Sequence, residues 1–255
     1  MKNLKFEISG SIGIIKIDRG NVLNALNKET VSELDKLVQE VEKNTKIRVL
    51  IIGSKDNFAA GADIKEMAGC NVQEAKMFSF SKTFDRIQNL KIPTIAAIEG
   101  YALGGGLELA LTCDFRIAAQ NSKLGFPEIN LGIMPGAGGT VRAARLVGEC
   151  RAKQLILFGE IIDACRAEQI GLVNKTVENE KLMETVMTWA EKLSQKAPIA
   201  LRTAKETIEK GMTRLETGDA LEIEGENWSG LFGTEDQKEG MQAFIEKRRP
   251  VYHGK

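Results

Sequence analysis

Residues 93–119, PTIAAIEGYALGGGLELALTCDFRIAA, decide the fold of this chain. Two short apolar runs, Pro93–Glu99 and Phe115–Ala119, lie on either side of a glycine turn and a helical stretch from about Gly105 to Cys113. Short continuous apolar runs are typical of strands that are buried on both faces of a parallel sheet. The stretch therefore predicts a strand, a crossover helix and a second strand, which is one βαβ unit of an α/β fold.

The alternation of strands and helices continues on both sides of this unit. Before it, we predict a hairpin of Lys5–Ile8 and Ile12–Ile17, an amphipathic helix Lys28–Asn44, a strand Arg48–Gly53 and a helical stretch that includes Met67, Ala75, Phe78 and Phe84. After it, we predict helices at Gly138–Val147, Ala152–Phe158, Asp163–Gln169, Glu180–Gln195 and Ile199–Gly211, and a last helix that opens at the capping box Thr234–Gln237 and runs through Ala243 to Lys247. We therefore expect an α/β core followed by a helical C-terminal region.

The composition argues against several classes of function. Lys plus Arg and Asp plus Glu number 35 each and aromatic residues are 5%, so we expect no nucleic-acid partner. The four cysteines are scattered without a Cys-x-x-Cys pair, which argues against a zinc site or a disulfide framework and fits a reducing compartment. The opening residues have no signal-peptide pattern, and Glu99 and Glu108 interrupt the most apolar stretch. We expect a soluble, cytoplasmic protein without membrane contact.

The single histidine limits the chemistry further. His253 is third from the C-terminus, in a tail that we expect to fray. A Ser-His-Asp or Cys-His mechanism would therefore lack a base in the body of the fold.

Two glutamates beside glycine-rich turns are the remaining candidates for chemistry. Glu108 follows Gly105 by three residues, which on a helix places its side chain on the same face as the exposed N–H of Gly105. Two carboxyl groups beside backbone N–H donors can perform acid and base catalysis on a carbonyl compound. A simple alternative is that the negative charge of Glu108 only stabilises the N-terminus of the helix through the helix dipole, and that the glycines form a tight turn.

Glu128 lies in a Pro-Glu turn, and Gly136–Gly139 precede a predicted helix. By themselves, these residues fit a solvated turn and either a phosphate loop or simple packing. Neither glycine run matches the dinucleotide or the P-loop pattern, so nucleotide chemistry is a weak alternative. Residues 58–65, FAAGADIK, add small residues and a positive charge after another predicted strand, and such strand ends meet in one crevice in α/β sheets.

Three separated segments together resemble one family. FAAGADIKEM, YALGGGLELALTCDFRIA and LGFPEINLGIMPGAGGTVRAARLVG, in this order and spacing, are similar to the crotonase (enoyl-CoA hydratase/isomerase) superfamily, and the likeness extends from about Lys5 to AFIEKRRP. The resemblance implies a spiral of ββα units over residues 1–195, which holds the acyl-CoA site, and a helical trimerisation region over residues 196–255. It also implies a homotrimer or a homohexamer built as a dimer of trimers.

The resemblance assigns residues to roles by their position in these motifs. The expected oxyanion donors are the N–H groups of Ala62 and Gly105, the expected catalytic pair is Glu108 and Glu128, and Gly136 is expected to donate near the attacking water. The expected substrate contacts are Leu23, Ala25, Ala60, Asp63, Ile64 and Lys65, with Phe244 and Lys247 reaching the ligand from a neighbouring subunit. No metal or separate cofactor is expected, since coenzyme A is part of the substrate. Asp18–Leu26 departs from the family, because it has glycine where Arg-Pro is usual and the turn is slightly shortened.

Both glutamates are present, which favours a hydratase. We therefore expect reversible hydration of a short-chain trans-2-enoyl-CoA to the 3-hydroxyacyl-CoA, with Glu128 as the acid toward Cα and Glu108 as the partner of the water. The alternatives are an enoyl-CoA isomerase of the same family and a non-catalytic member that binds acyl-CoA or RNA.

Overall fold

The computed structural model describes residues 1–78, 80–214 and 216–255, without the side chains of residues 77 and 78. The strands of this part are β1 (Leu4–Ser9), β2 (Ile12–Ile17), β3 (Val49–Ser54), β4 (Thr94–Ile98), β5 (Tyr101–Leu103), β6 (Phe115–Ala119), β7 (Lys123–Gly125), β8 (Ile161–Asp163) and β9 (Lys175–Val177). The helices are α1 (Lys28–Lys43), α2 (Ile64–Met67), α3 (Val72–Phe78), α4 (Ser81–Gln88), α5 (Gly105–Ala110), α6 (Gly139–Val147), α7 (Glu149–Leu157), α8 (Ala164–Gln169), α9 (Leu182–Ser194), α10 (Pro198–Gly211), α11 (Thr217–Gly230) and α12 (Glu235–Ile245).

The main sheet has six strands in the order β1-β2-β3-β4-β6-β9. β1 and β2 form the predicted antiparallel hairpin, and the other neighbours are parallel. In β3, Leu50 and Ile52 belong to the core that includes α1 and α5, whereas Val49 and Ile51 belong to the core that includes α9. The continuous apolar run of β3 is thus explained by burial on both faces, and the predicted α/β architecture is confirmed.

Helix α1 is amphipathic, as its sequence predicts. Asn27 caps it, because its side chain accepts a hydrogen bond from the N–H of Thr30 at 2.9 Å. Leu34, Val38 and Val41 are buried against the sheet. The helix ends at Lys43, one residue before the predicted end.

A second sheet with the order β5-β7-β8 was not predicted. Its three strands have three residues each, which is too short to show an alternating pattern. Leu103 at the end of β5 pairs with Gly125 at the end of β7, and the N–H of Gly104 donates to Gly125 O at 2.9 Å. The small sheet therefore brings the turn before α5 next to the turn that contains Glu128.

The C-terminal region is helical, as predicted, but the prediction of a frayed tail is wrong. The buried carboxylate of Asp236 accepts hydrogen bonds from the N–H groups of His253 and Gly254 at 2.7 and 2.8 Å. Arg48 donates to Tyr252 O at 2.7 Å. The last residues therefore dock on the start of α12 and on the end of the loop before β3.

One further difference concerns the helices. α11 was not predicted, because three glycines and polar residues hide its periodicity. The side chain of Phe78, part of a predicted helical stretch, lies outside the described residues.

The division of the chain at residues 195 and 196 stays a prediction. Helix α9 ends at Ser194 and α10 begins at Pro198. Within the described ranges, every helix is too short or too polar to cross a bilayer.

Candidate active site

The glycine turn between β5 and α5 forms one wall of the site. Gly104 has a φ of 49°, a left-handed value that favours glycine. A Cβ on Gly106 would lie only 2.1 Å from the carbonyl oxygen of Ala59, so the first turn of α5 packs directly on the backbone after β3. This close approach brings the start of α5 next to Ala62.

Two backbone N–H groups at this contact are available to a ligand. A Cβ on Gly105 would lie 3.4 Å from the nitrogen of Ala62, so the two residues adjoin. Within the described chain, neither N–H donates a hydrogen bond to another protein group. The predicted donors Ala62 and Gly105 are therefore adjacent and unpaired, and an oxyanion site needs free donors of this kind.

Glu108 is almost fully buried at the second wall. Its Oε1 accepts hydrogen bonds from the N–H groups of Ala137 and Gly139, each at 2.7 Å. Gly138 between them has a left-handed φ of 107°, and Gly139 begins α6. Successive N–H groups in such a turn form an anion-binding nest, and here the bound anion is a carboxylate of the same chain.

Burial raises the pKa of Glu108. The N–H groups of Gly139 and Ala137 oppose this rise, as does the positive charge of Arg142. Hydrogen bonds and positive charge favour the ionised carboxylate, whereas desolvation favours the protonated acid.

Glu128 lies in a short 3-10 turn, Pro127–Leu131, directly after β7 and Phe126. Its carboxyl group packs on Gly104, since a Cβ there would lie 2.9 Å from Oε1. Its Oε2 is buried and has no hydrogen-bond partner among the described residues. Burial raises the pKa of Glu128 to about 7, and the nearby charge of Glu108 adds to the rise. This carboxyl group can therefore hold a proton near neutral pH.

A cavity of about 200 Å³ joins these groups. Of the predicted site residues, Ala60, Ala62, Ile64, Gly105, Glu108, Glu128 and Gly136 line it. Further apolar side chains also line the cavity: Met67, Ala75, Phe80, Leu131, Ile133 and Met134.

Other predicted residues lie outside this lining. Leu23 and Ala25 are in the neighbouring loop, where Leu23 O accepts from the N–H of Ala60 at 3.1 Å. Asp63 caps α2 by accepting from the N–H of Lys65 at 3.2 Å, and Lys65 is exposed. Within Asp63–Lys65, Ile64 is the residue that lines the cavity.

Arg19 stabilises the segment in which the chain departs from the family. It donates to Ala25 O and forms an ion pair with Asp63 at 3.4 Å. This contact joins the shortened turn to the first turn of α2.

Phe244 and Lys247 lie at and after the end of α12, away from the cavity lining, and both are exposed in the single chain.

Sequence reasoning missed Ala137 and Gly139, whose N–H groups hold Glu108, and Arg142, which donates to Ala137 O. The signal was present in Gly136–Gly139, whose glycines allow an anion-binding turn. It did not identify the anion, because Glu108 lies 29 and 31 residues away from the two donors.

Comparison with known proteins places the chain in a family. The model of the enoyl-CoA hydratase/isomerase family matches residues 7–255. The short-chain-enoyl-CoA hydratase of Clostridium acetobutylicum is 44% identical over 253 residues, which are 98% of this chain and 97% of that protein. The crotonyl-CoA hydratase of Syntrophomonas wolfei is 43% identical over 258 residues, covering 100% of this chain and 99% of that protein.

The solved structure of an enoyl-CoA hydratase from Bacillus anthracis has a TM-score of 0.95 to this chain at 40% identity, and the match covers 99% of this chain and 100% of the other. This likeness confirms the crotonase-type fold that the sequence motifs implied. The chain belongs to the enoyl-CoA hydratase/isomerase family.

Proposed function

We propose that this protein catalyses the reversible hydration of a short-chain trans-2-enoyl-CoA to the 3-hydroxyacyl-CoA. The observation that carries the proposal is that two carboxyl groups and two unpaired N–H groups line one cavity. The names of the relatives in Clostridium acetobutylicum and Syntrophomonas wolfei support the same reaction.

The N–H groups of Ala62 and Gly105 serve the thioester oxygen in this mechanism. As the water oxygen bonds to Cβ, electrons of the double bond move through Cα onto the thioester oxygen. The two N–H groups meet a larger negative charge in this transition state than in the substrate, so they lower the barrier. Removal of one donor of this kind from an enzyme typically costs about 10²–10³ in kcat.

The two glutamates divide the proton transfers. Glu108, held by the Ala137–Gly139 turn, takes a proton from the attacking water. Glu128, whose pKa is raised to about 7, gives its proton to Cα as the enolate collapses. The proton gained by Glu108 then returns to Glu128, so one water molecule is added and both carboxyl groups are restored. The different surroundings of the two groups support this assignment.

The cavity supports a short acyl group. Pockets for drug-sized ligands are about 300–1,000 Å³, and this cavity of about 200 Å³ is smaller. In this proposal the acyl end contacts the apolar lining, and the coenzyme A arm leaves past Ala60 and Ile64 toward exposed Lys65.

Hydration of crotonyl-CoA tests the proposal, because the absorbance of the conjugated thioester disappears as the product forms. We expect Glu108→Gln and Glu128→Gln each to lower kcat by about 10²–10⁴. Glu40→Gln, on the exposed face of α1, is the matched control and should have wild-type activity. Wild-type turnover in both site variants would rule out the two-glutamate mechanism.

Double-bond isomerisation is a second candidate, because the family description includes isomerases and a carboxyl pair can move a proton between Cα and Cγ. A 3-enoyl-CoA substrate distinguishes the two reactions. Appearance of the conjugated 2-enoyl thioester at a rate above that of crotonyl-CoA hydration would favour the isomerase.

We also propose that the protein forms a homotrimer or a homohexamer. Large apolar side chains of the C-terminal helices are exposed in the single chain, among them Ile208, Met212, Trp228, Phe244 and Ile245, with exposures of 63–85%. Such a face is typical of a protein interface. Light scattering should give the mass of three or six chains, and a monomer at all concentrations would contradict the proposal.

A further inference from the structure

We propose that Arg142 is a positioning residue for Glu108, because it holds the Ala137–Gly139 turn from the side opposite to the carboxylate. The inference rests on the proposed function, in which Glu108 is the base toward water. Arg142 contacts neither the reacting atoms nor, by any direct hydrogen bond in the described chain, Glu108 itself.

The guanidinium of Arg142 is fixed by three acceptors. Nη1 donates to Ala137 O at 2.7 Å, Nε donates to Gln88 Oε1 at 2.6 Å, and Nη2 pairs with Asp85. The side chain of Arg142 is only 12% exposed, whereas its partner Asp85 lies at the surface. The turn is thereby connected to α4.

The two sides of the turn have complementary roles. Its N–H groups at Ala137 and Gly139 face Glu108, while the carbonyl of Ala137 faces Arg142. A rotation of this turn would move the carbonyl and the N–H groups together, since they share one short backbone segment. The guanidinium of Arg142, bonded to Ala137 O, therefore restrains the N–H groups that hold the Glu108 carboxylate.

Gly138 shows that the arginine and the turn fit each other closely. A Cβ on Gly138 would lie 1.9 Å from Nη1 of Arg142. Glycine at position 138 thus allows the left-handed φ of the turn and leaves the space that the guanidinium occupies.

The charge of Arg142 acts in the same direction as its hydrogen bonds. It lowers the pKa of Glu108, while burial raises it. The other charged groups nearby are Glu128, which faces Glu108 across the cavity, and Asp85, which pairs with Arg142 from α4. Loss of the arginine should therefore leave Glu108 more readily protonated and its carboxylate less well oriented.

A larger cavity makes the arginine accessible to substitution. This cavity, of about 540 Å³, lies on the outer side of the turn and is lined by Arg142 as well as by Asp85, Gln88 and Arg145. Solvent can replace part of the Arg142 side chain there, so a polar substitution need not disrupt the core.

The experiment compares Arg142→Gln, Arg142→Lys and Arg145→Ala with the wild type by measuring kcat, KM and the pH dependence of kcat/KM for crotonyl-CoA. Arg145 is the matched control, because it is exposed, lies one turn along α6 and makes no side-chain hydrogen bond within the described part of the chain. We expect Arg142→Gln to lower kcat about 10–100-fold with KM within about threefold of wild type, since small misplacements of catalytic groups have effects of this size.

The pH profile separates positioning from general damage. Glu108 must be ionised to act as the base, so a higher pKa moves the acidic limb of kcat/KM to higher pH. We expect this shift in Arg142→Gln. Arg142→Lys keeps the positive charge but loses the forked donors of the guanidinium. The acidic limb of kcat/KM in this variant should therefore stay at the wild-type pH, while kcat should lie between that of Arg142→Gln and that of the wild type.

The possible results discriminate clearly. The proposal is overturned if folded Arg142→Gln has the wild-type kcat. It is also overturned if Arg142→Gln has a lower kcat with an unshifted acidic limb of kcat/KM and Arg142→Lys restores no activity. Should Arg142→Gln fail to fold, wild-type kcat in Arg142→Lys overturns it. Wild type and Glu108→Gln separate the two levels. A wild type that does not hydrate crotonyl-CoA refutes the proposed function, and a Glu108→Gln variant with wild-type turnover refutes the role of Glu108 as the base. An inactive Glu108→Gln with unaffected arginine variants refutes only the positioning role.

Discussion

Replacing Gly105 by alanine tests the oxyanion site most directly, because it adds one methyl group and removes no donor. The new Cβ would lie 3.4 Å from the nitrogen of Ala62 and 3.9 Å from Oε2 of Glu108. The φ of Gly105 lies outside the left-handed region, so alanine can adopt the same backbone. The methyl group would therefore enter the cavity without straining the chain.

The geometry sets the size of the expected effect. A thioester oxygen must lie about 3 Å from both nitrogens, and a methyl carbon 3.4 Å from the Ala62 nitrogen crowds that region. Loss of one donor costs about 10²–10³ in kcat. Because the methyl group lies beside both donors, we expect a loss of about this size. Stability should stay within about 1 kcal/mol of wild type, since alanine favours the helix over glycine.

The assay is crotonyl-CoA hydration together with thermal unfolding followed by circular dichroism. Gly225→Ala in α11 is the control, because a Cβ there meets nothing within 4 Å and alanine again replaces a helical glycine. We expect the control to keep wild-type activity. A folded Gly105→Ala protein that retains more than about a tenth of the wild-type kcat would refute the assignment of the oxyanion site.

Three further outcomes follow from the same structure. Because Glu128 must be protonated to act as the acid and its pKa is about 7, kcat/KM should fall as pH rises above about 7; a flat pH profile from 6 to 9 would contradict this role. Gly106→Ala should lower the free energy of unfolding by about 3 kcal/mol or more in urea titrations, because its Cβ would lie 2.1 Å from Ala59 O, and an unchanged midpoint would show that the contact can relax. Asp236→Ala should lower it by about 1–3 kcal/mol, because two N–H groups of the C-terminal tail lose their buried acceptor, whereas an unchanged melting temperature would mean that water replaces it.

The large elements of the fold were predictable because their signals are local. The strand β3 is a continuous apolar run since both faces are buried, and α1 combines an asparagine cap with an amphipathic pattern. Each of these features depends on residues within about one element length. The resemblance to a family added the spiral topology, which local patterns cannot specify.

The elements that sequence reasoning missed depend on contacts between distant residues. β5, β7 and β8 have three residues each, and each forms a strand through pairing with segments that are distant in the sequence. The C-terminal tail is polar and near the chain end, yet Asp236 binds it across 17 and 18 residues. Such contacts leave no periodic pattern, so the short sheet was missed and the tail was wrongly expected to fray.

The Gly136–Gly139 segment shows how local sequence can leave two interpretations of a turn open. Glycines before a helix were compatible with a phosphate loop, and the turn does bind an anion through two N–H groups. Its anion is the carboxylate of Glu108, so these two donors are already used and are not free for a nucleotide phosphate. Local sequence therefore left open whether the turn binds an anion or only packs, whereas the packing of α5 against the start of α6 shows both that it binds an anion and which one. In the proposed mechanism one carboxylate is ionised beside another that keeps its proton, and an internal anion site on Glu108 supports this asymmetry.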